Sequence, residues 1–185
     1  METVKLLYCG NFGLGHELET VLRAAQRLDH GLDLEIIFVG TGALQKRLKE
    51  LTRELGLDNV DFRPPVPLFK LPELLAGGDI HLVSQKLGTE GLLVPSKIYG
   101  ILAAGRPVLF VGPNHSEIAA IITASGAGII VRPGDVDGVV EALKRLVCNP
   151  HIREAMGACG KAYYEKHLGR ERSVSRIIKA IESIM

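Results

Sequence analysis

Ile80-His81-Leu82-Val83-Ser84, then Gly88-Thr89-Glu90-Gly91-Leu92-Leu93-Val94-Pro95-Ser96-Lys97, then Ala103-Ala104-Gly105-Arg106-Pro107-Val108, follow one another in the middle of the chain. The first run is apolar and reads as a buried strand. The second is a glycine-flanked loop around one acid, and Pro95-Ser96 restarts the chain as a helix over Ile98–Ala104, ended by Gly105. Ser96 is placed as the N-cap, its hydroxyl accepting from a free amide of the first turn. A helix N-terminus carries unpaired N–H groups and partial positive charge, and Lys97 adds a full charge there. A carboxylate, free amides and an ammonium after one strand suit a ligand bearing hydroxyls and phosphates. An ordinary strand-to-helix connection with a solvated Glu and Lys fits the spacing equally well.

The same alternation continues on both sides. Val4–Cys9 is an apolar run closed by Gly10-Asn11-Phe12-Gly13-Leu14-Gly15, and Leu34–Val39 is another closed by Gly40-Thr41-Gly42. Val60–Phe62, Pro107–Val111 and Ile129–Val131 complete six predicted strands. Leu18, Val21, Leu22, Ala25 and Leu28 recur at helical spacing, as do Leu44, Leu48, Leu51 and Leu55. Further helices are predicted over Leu71–Leu75, Ser116–Ala124 and around Val136–Val147, with a shorter one from Pro150 and a last one on Val174, Ile177, Ile178, Ile181 and Ile184. Strands apolar throughout, alternating with amphipathic helices, predict a Rossmann-like, doubly wound parallel sheet with helices on both faces and a C-terminal helical tail. In such a sheet ligands bind beyond the carboxyl ends of the strands. The loops Gly10–Gly15, Gly40–Gly42, Pro64–Pro67 and Thr89–Lys97 should therefore share one rim.

Composition narrows the function. The 185 residues are 46% hydrophobic with a formal net charge of +1, so no basic field argues for nucleic acid. Tryptophan is absent and aromatics are scarce, which weakens a base-stacking platform. Cys9, Cys148 and Cys159 sit at unrelated spacings and read as reduced packing residues of a cytosolic protein. Ile118–Val131 is the longest apolar stretch, and it is broken by Ser125-Gly126-Ala127-Gly128 and shorter than the roughly 20 residues that span a bilayer. With no basic leader, the expectation is a soluble protein. The first glycine turn is not the dinucleotide fingerprint: its glycines fall at the first, fourth and sixth places, and no acid closes the second strand. No P-loop or metal-ligand cluster is present. His16 reads as a surface histidine at a helix start.

Glu90-Gly91-Leu92-Leu93-Val94-Pro95 with Leu102-Ala103-Ala104-Gly105-Arg106-Pro107-Val108 resembles the donor-binding segment of retaining GT-B glycosyltransferases, especially family 4. Glu117-Ile118, Gly126-Ala127-Gly128 and Val131-Arg132-Pro133-Gly134-Asp135 are similar to the segment that follows in that family. Asn149-Pro150, Arg153-Glu154 and Met156-Gly157 are similar to its next helix pair, and Phe38–Gly42 to its second strand and turn. The resemblance runs in order along nearly the whole chain but covers half of such an enzyme, the C-terminal, nucleotide-sugar half of a GT-B architecture. It implies residues 1–160 as the nucleotide-sugar-binding domain and 161–185 as a helix that packs on a missing N-terminal acceptor domain or subunit. Two positions depart from the pattern: Asn11 stands where an Arg is common, with no lysine following, and Gly100 stands where a second Glu is usual.

The resemblance implies sugar transfer, with retention, from a UDP- or GDP-linked donor to a glycan or lipid-linked acceptor, as in cell-surface polysaccharide biosynthesis. Glu90 and Lys97 are the expected catalytic pair, on sugar hydroxyls and diphosphate respectively. Gly10, Asn11, Gly13, Gly40, Thr41 and Ser96 would face the phosphates, Gly91, Leu92 and Leu93 the sugar, and Arg63 and Pro64 the base. No metal or cofactor is expected, since amides and Lys97 can meet the leaving-group charge. The full-length enzyme would be cytoplasmic, with peripheral contact at the inner face of the plasma membrane through the missing partner. Two alternatives remain: a GT-B-like UDP-sugar 2-epimerase, and a non-catalytic nucleotide-sugar-binding subunit of a split transferase.

Overall fold

The computed structural model describes residues 3–28, 31–92, 95–169, 174–175, 178–179 and 181–182. Six strands, β1 (Val4–Cys9), β2 (Leu34–Val39), β3 (Val60–Arg63), β4 (Ile80–Ser84), β5 (Val108–Val111) and β6 (Gly128–Val131), form one parallel sheet in the order β3-β2-β1-β4-β5-β6. β1 and β2 run in register from Val4 opposite Leu34 to Cys9 opposite Val39. The helices are α1 (Glu19–Gln26), α2 (Gln45–Glu54), α3 (Leu71–Ala76), α4 (Lys97–Ala103), α5 (Glu117–Ser125), α6 (Val136–Cys148) and α7 (Pro150–Tyr163). This is the expected doubly wound arrangement. The chain reverses direction of travel between β1 and β4, so a crevice opens beyond their carboxyl ends.

Period-two alternation divides the core. Leu6 and Tyr8 of β1 join Ile36, Phe38, Leu82 and Leu109 under Leu22, Leu48 and Leu143 of α1, α2 and α6. Val83, Val108 and Phe110 face the other way, against Ile98, Leu102, Ile118 and Ile122 of α4 and α5. Leu7, Ile37 and Val39 lie on that second face too, with Cys9, Val66 and Leu74 against them. Local chemistry sets the helix ends. Ser116 Oγ accepts from the Ala119 amide at 3.2 Å to open α5, and Asp135 Oδ1 accepts from the Gly138 amide at 2.8 Å to open α6. Gly126, at φ 67°, takes the left-handed turn that ends α5.

Two expectations need correction. The helix from Pro150 is not the shorter one: α7 has 14 residues against 13 in α6, and a further π-type turn, Tyr164–Leu168, extends it. Ser96 does not act as a side-chain cap. Its backbone is already helical at φ −58° and ψ −16°, and its hydroxyl makes no capping bond. The turn begins one residue earlier, where the Ile98 amide donates to the Pro95 carbonyl at 3.2 Å. In the tail Val174, Ile178 and Ile181 are exposed, whereas Ile177 and Ile184 lie outside the described residues. No described helix is long and apolar enough to cross a membrane.

Candidate functional site

The loops after β1 and β4 meet across the crevice and are tied to each other. His16 Nδ1 lies 2.8 Å from the Ser84 carbonyl oxygen, and the Lys86 amide donates to the Gly15 carbonyl at 2.8 Å. A carbonyl only accepts, so His16 carries its proton on Nδ1 and Nε2 keeps a lone pair. His16 is thus no surface residue: it is half-buried, edge-on to Tyr8 at 5.9 Å between ring centroids, and α1 begins only at Glu19.

Between these loops lies a cleft of about 430 Å³, lined by Cys9, Gly10, Asn11 and His16 on one side and Pro95, Ser96, Lys97 and Gly100 on the other, with Leu71 and Leu75 of α3 closing it. Lys97 dominates its electrostatics. Nζ stands 3.6 Å from the centre of the Tyr8 ring, is sealed from solvent, and has no hydrogen-bond partner among the described residues. Burial pulls its pKa down to about 7, with Cys9 partly opposing. Burial, and then the Lys97 charge, lower His16, while the Ser84 carbonyl works the other way. Burial raises Cys9, opposed by Lys97. Burial also raises Tyr8, whose hydroxyl donates to the Asn11 carbonyl at 2.8 Å. No carboxylate lines the cleft among the described residues.

The glycine turns hold the wall together. The Gly10 amide donates to the Val39 carbonyl, the Phe12 amide to the Thr41 carbonyl and the Gly40 amide to the Arg63 carbonyl, all within 2.9–3.0 Å. Gly40 sits at φ 143°, and a Cβ there would run into the Gly10 carbonyl. Gly10 and Gly40 therefore contribute close backbone approach, their N–H groups being spent on neighbouring strands. The amides of Asn11 and Gly13 donate to no acceptor among the described residues. Thr41 Oγ1 turns to Gln45 Oε1 at 3.2 Å, along α2.

Other predicted residues stand apart from this cleft. Glu90 is half-buried and pairs with His115 Nε2 at 3.3 Å, a partner that nothing in its own segment announces. Gly91 and Leu92 are exposed on the same loop, and Leu93 lies outside the described residues. Arg63 donates to Asp61 at 2.6 Å and to Glu35 at 3.2 Å, and lines a separate hollow of about 330 Å³ with Lys70 and Glu73. Pro64 is exposed beside it. Another hollow, of about 690 Å³, opens at the opposite end of the strands around Asp33 and Asp58. Among the described residues no buried, unpartnered side-chain atom lines it, and it lies away from the carboxyl ends where such sheets bind ligands. No group of three or more His, Cys, Asp or Glu suited to a metal gathers among the described residues.

The model of the family described as glycosyl transferases group 1 matches residues 1–163. The chain is 32% identical over 179 residues to WcaI of Escherichia coli (strain K12), whose name assigns it to colanic acid biosynthesis, covering 95% of this chain and 42% of WcaI. Among solved structures, Anabaena HepE in complex with UDP-glucose superposes with a TM-score of 0.83 at 14% identity, over 98% of this chain and 49% of HepE. The C-terminal domain of LpcC, a glycosyl transferase group 1 family protein from Francisella tularensis, superposes with a TM-score of 0.74 at 18% identity, over 90% of this chain and 87% of that one. The chain thus spans less than half the length of WcaI and of HepE, and its fold is that of GT-B glycosyltransferases. It belongs to the glycosyl transferases group 1 family.

Proposed function

We propose that this chain is the donor-binding part of a retaining glycosyltransferase that takes a nucleoside diphosphate sugar, UDP- or GDP-linked, and passes its sugar to a glycan or lipid-linked acceptor. One observation carries the reading. Lys97, whose Nζ is buried and has no hydrogen-bond partner among the described residues, lines a cleft with no carboxylate among its described lining residues, at the point where such sheets bind nucleotides. Departure of the nucleotide leaves negative charge on its diphosphate, and a fixed cation beside loop amides lowers that charge's energy most in a dry site. Lys97 and the amides of Asn11, Gly13 and Ser96 take the phosphates, and no divalent ion is needed to meet that charge. Glu90, held by His115, accepts from sugar hydroxyls, with Gly91 and Leu92 donating beside it. The base lies along Arg63 and Pro64, met through backbone because the guanidinium is engaged by Asp61 and Glu35.

Leu14, Leu87 and Leu92 are exposed on the loops that follow β1 and β4, and Leu68 and Phe69 on the single 3-10 turn Leu68–Lys70 after β3. This apolar rim supports a second domain or subunit closing over the cleft and bringing the acceptor. The chain length relative to WcaI supports the same partner. Calorimetric titration with UDP and a panel of UDP- and GDP-sugars tests the assignment. Wild-type protein is expected to bind one nucleotide family, and Glu90→Gln to keep nucleoside diphosphate affinity while losing at least about tenfold for the sugar-linked donor. Equal loss for both ligands, or for neither, would remove Glu90 from the sugar.

A further inference from the structure

Among the described residues, no acidic side chain or hydrogen-bond acceptor meets the Lys97 amine to which the proposed function gives the diphosphate. Its surroundings can be followed element by element. From β1 it meets the face of Tyr8 and the Cys9 thiol, both pushed toward their protonated, neutral forms by burial. The β1 loop brings His16, whose Nδ1–H is committed to the Ser84 carbonyl and which the Lys97 charge itself disfavours as a cation. Helix α3 presents only Leu71 and Leu75, because its acid, Glu73, lines the separate hollow with Arg63. Pro95 and Gly100 complete the wall from its own segment. Glu90 is turned to His115. Nζ makes no hydrogen bond among the described residues. An ammonium held this way forfeits its hydration and gains only the ring face of Tyr8, which offsets the loss in part.

We infer that the Lys97 amine is largely uncharged in the empty protein above neutral pH and takes one proton from solvent as the diphosphate enters, so that binding itself switches on the cation. The step is a simple transfer: the Nζ lone pair accepts a proton from water or buffer, and the resulting ammonium donates to a phosphate oxygen. The burial that brings Lys97 down to about 7 is consistent with this geometry. Entry of an anion replaces the missing hydration and returns the amine toward its ordinary range. This deepens the diphosphate assignment and rests on it. Its consequence is a site that binds weakly to neutral ligands, and whose affinity depends on pH through the protein and not through the phosphate. A terminal phosphate has finished its second ionisation above about pH 7.5, since that pKa lies near 6.

Titration calorimetry of the whole chain with UDP, in buffers of different ionisation enthalpy between pH 7.5 and 9, reads the proton count directly. The inference expects close to one proton taken up per UDP at pH 8.5, and an affinity that falls by about tenfold per pH unit over this range. Lys97→Arg cannot shed its charge and should bind with no uptake and a flat pH profile. Lys97→Met should bind weakly, also without uptake, and a thermal melt on each variant reports that it is folded. UDP binding to wild type with no proton uptake and a flat profile would overturn the inference while leaving the nucleotide site in place. Uptake that persists in Lys97→Met and vanishes in His16→Gln would assign the proton to His16 and overturn it as well. Absence of UDP binding at every pH would instead defeat the nucleotide reading on which the inference stands.

Discussion

Replacing Lys97 with Met should stabilise the empty protein while damaging its binding. Met keeps most of the stem's volume and removes the amine. The amine's pKa is about 7 in the fold against 10.5 in an unfolded chain. Between those values the unfolded state binds more protons, so wild-type stability rises with pH through this window and levels off above it. At pH 7 the mismatch amounts to about 4 kcal/mol, at 1.36 kcal/mol per pH unit. The Tyr8 ring, 3.6 Å away, is worth up to about 2 kcal/mol to the charged form. The net gain for Lys97→Met is therefore roughly 2–4 kcal/mol at pH 7, shrinking toward pH 10. For a chain of this size that raises Tm by about 5–15 °C. Urea denaturation at pH 7, 8.5 and 10, with wild type and variant side by side, measures it. A variant that is less stable at pH 7, or whose pH profile runs parallel to wild type, would refute the electrostatic account of the cleft.

Gly40→Ala should cost more than about 3 kcal/mol, because the added methyl meets the Gly10 carbonyl and the φ of 143° suits no side chain. Chemical denaturation reports it, and a near-neutral result would mean that the two glycine turns are not held in contact. His81 is buried, with its Nε2–H donating to the Leu75 carbonyl at 2.9 Å, and burial lowers its pKa to about 4. The unfolded chain takes up that proton first, so stability should fall by about 3 kcal/mol as pH drops from 6.5 to 4. His81→Gln should flatten this limb in acid denaturation curves, and an unchanged limb would place the loss elsewhere. Removing divalent ions with EDTA should leave UDP affinity within about twofold of its value in magnesium if Lys97 and the loop amides carry the phosphate charge; a loss of tenfold or more in titration would show that a cation shares that task.

Much of the architecture was legible because it depends on short-range patterns. Val4–Cys9 and Leu34–Val39 are uninterrupted apolar runs ended by glycine, and both appear as strands over those same residues. Gly56, at φ 65°, follows the α2 end where the leucine stripe stops. The site was legible only in outline. Gly10, Asn11, Ser96 and Lys97 do meet in one cleft, as a shared rim requires. What escaped depends on distant partners. His16 is held by Ser84, 68 positions away, Arg63 by Glu35, 28 positions back, and Glu90 by His115. By its position alone Lys97 is a positive charge at a helix start, since lysine is ordinarily solvated. Its burial comes from Tyr8 and the α3 leucines, which no local spacing joins to it. The Ser96 cap failed because Pro95 starts the turn earlier.

The central claim is that the crevice between β1 and β4 seats a diphosphate on the Lys97 amine. A crystal structure of the chain with UDP tests it most directly. A phosphate oxygen about 2.8 Å from Lys97 Nζ, with the nucleotide running toward Arg63 and Pro64, is the predicted result. A nucleotide ordered elsewhere on the molecule, with Lys97 Nζ still on the Tyr8 ring and touching no phosphate, would contradict it.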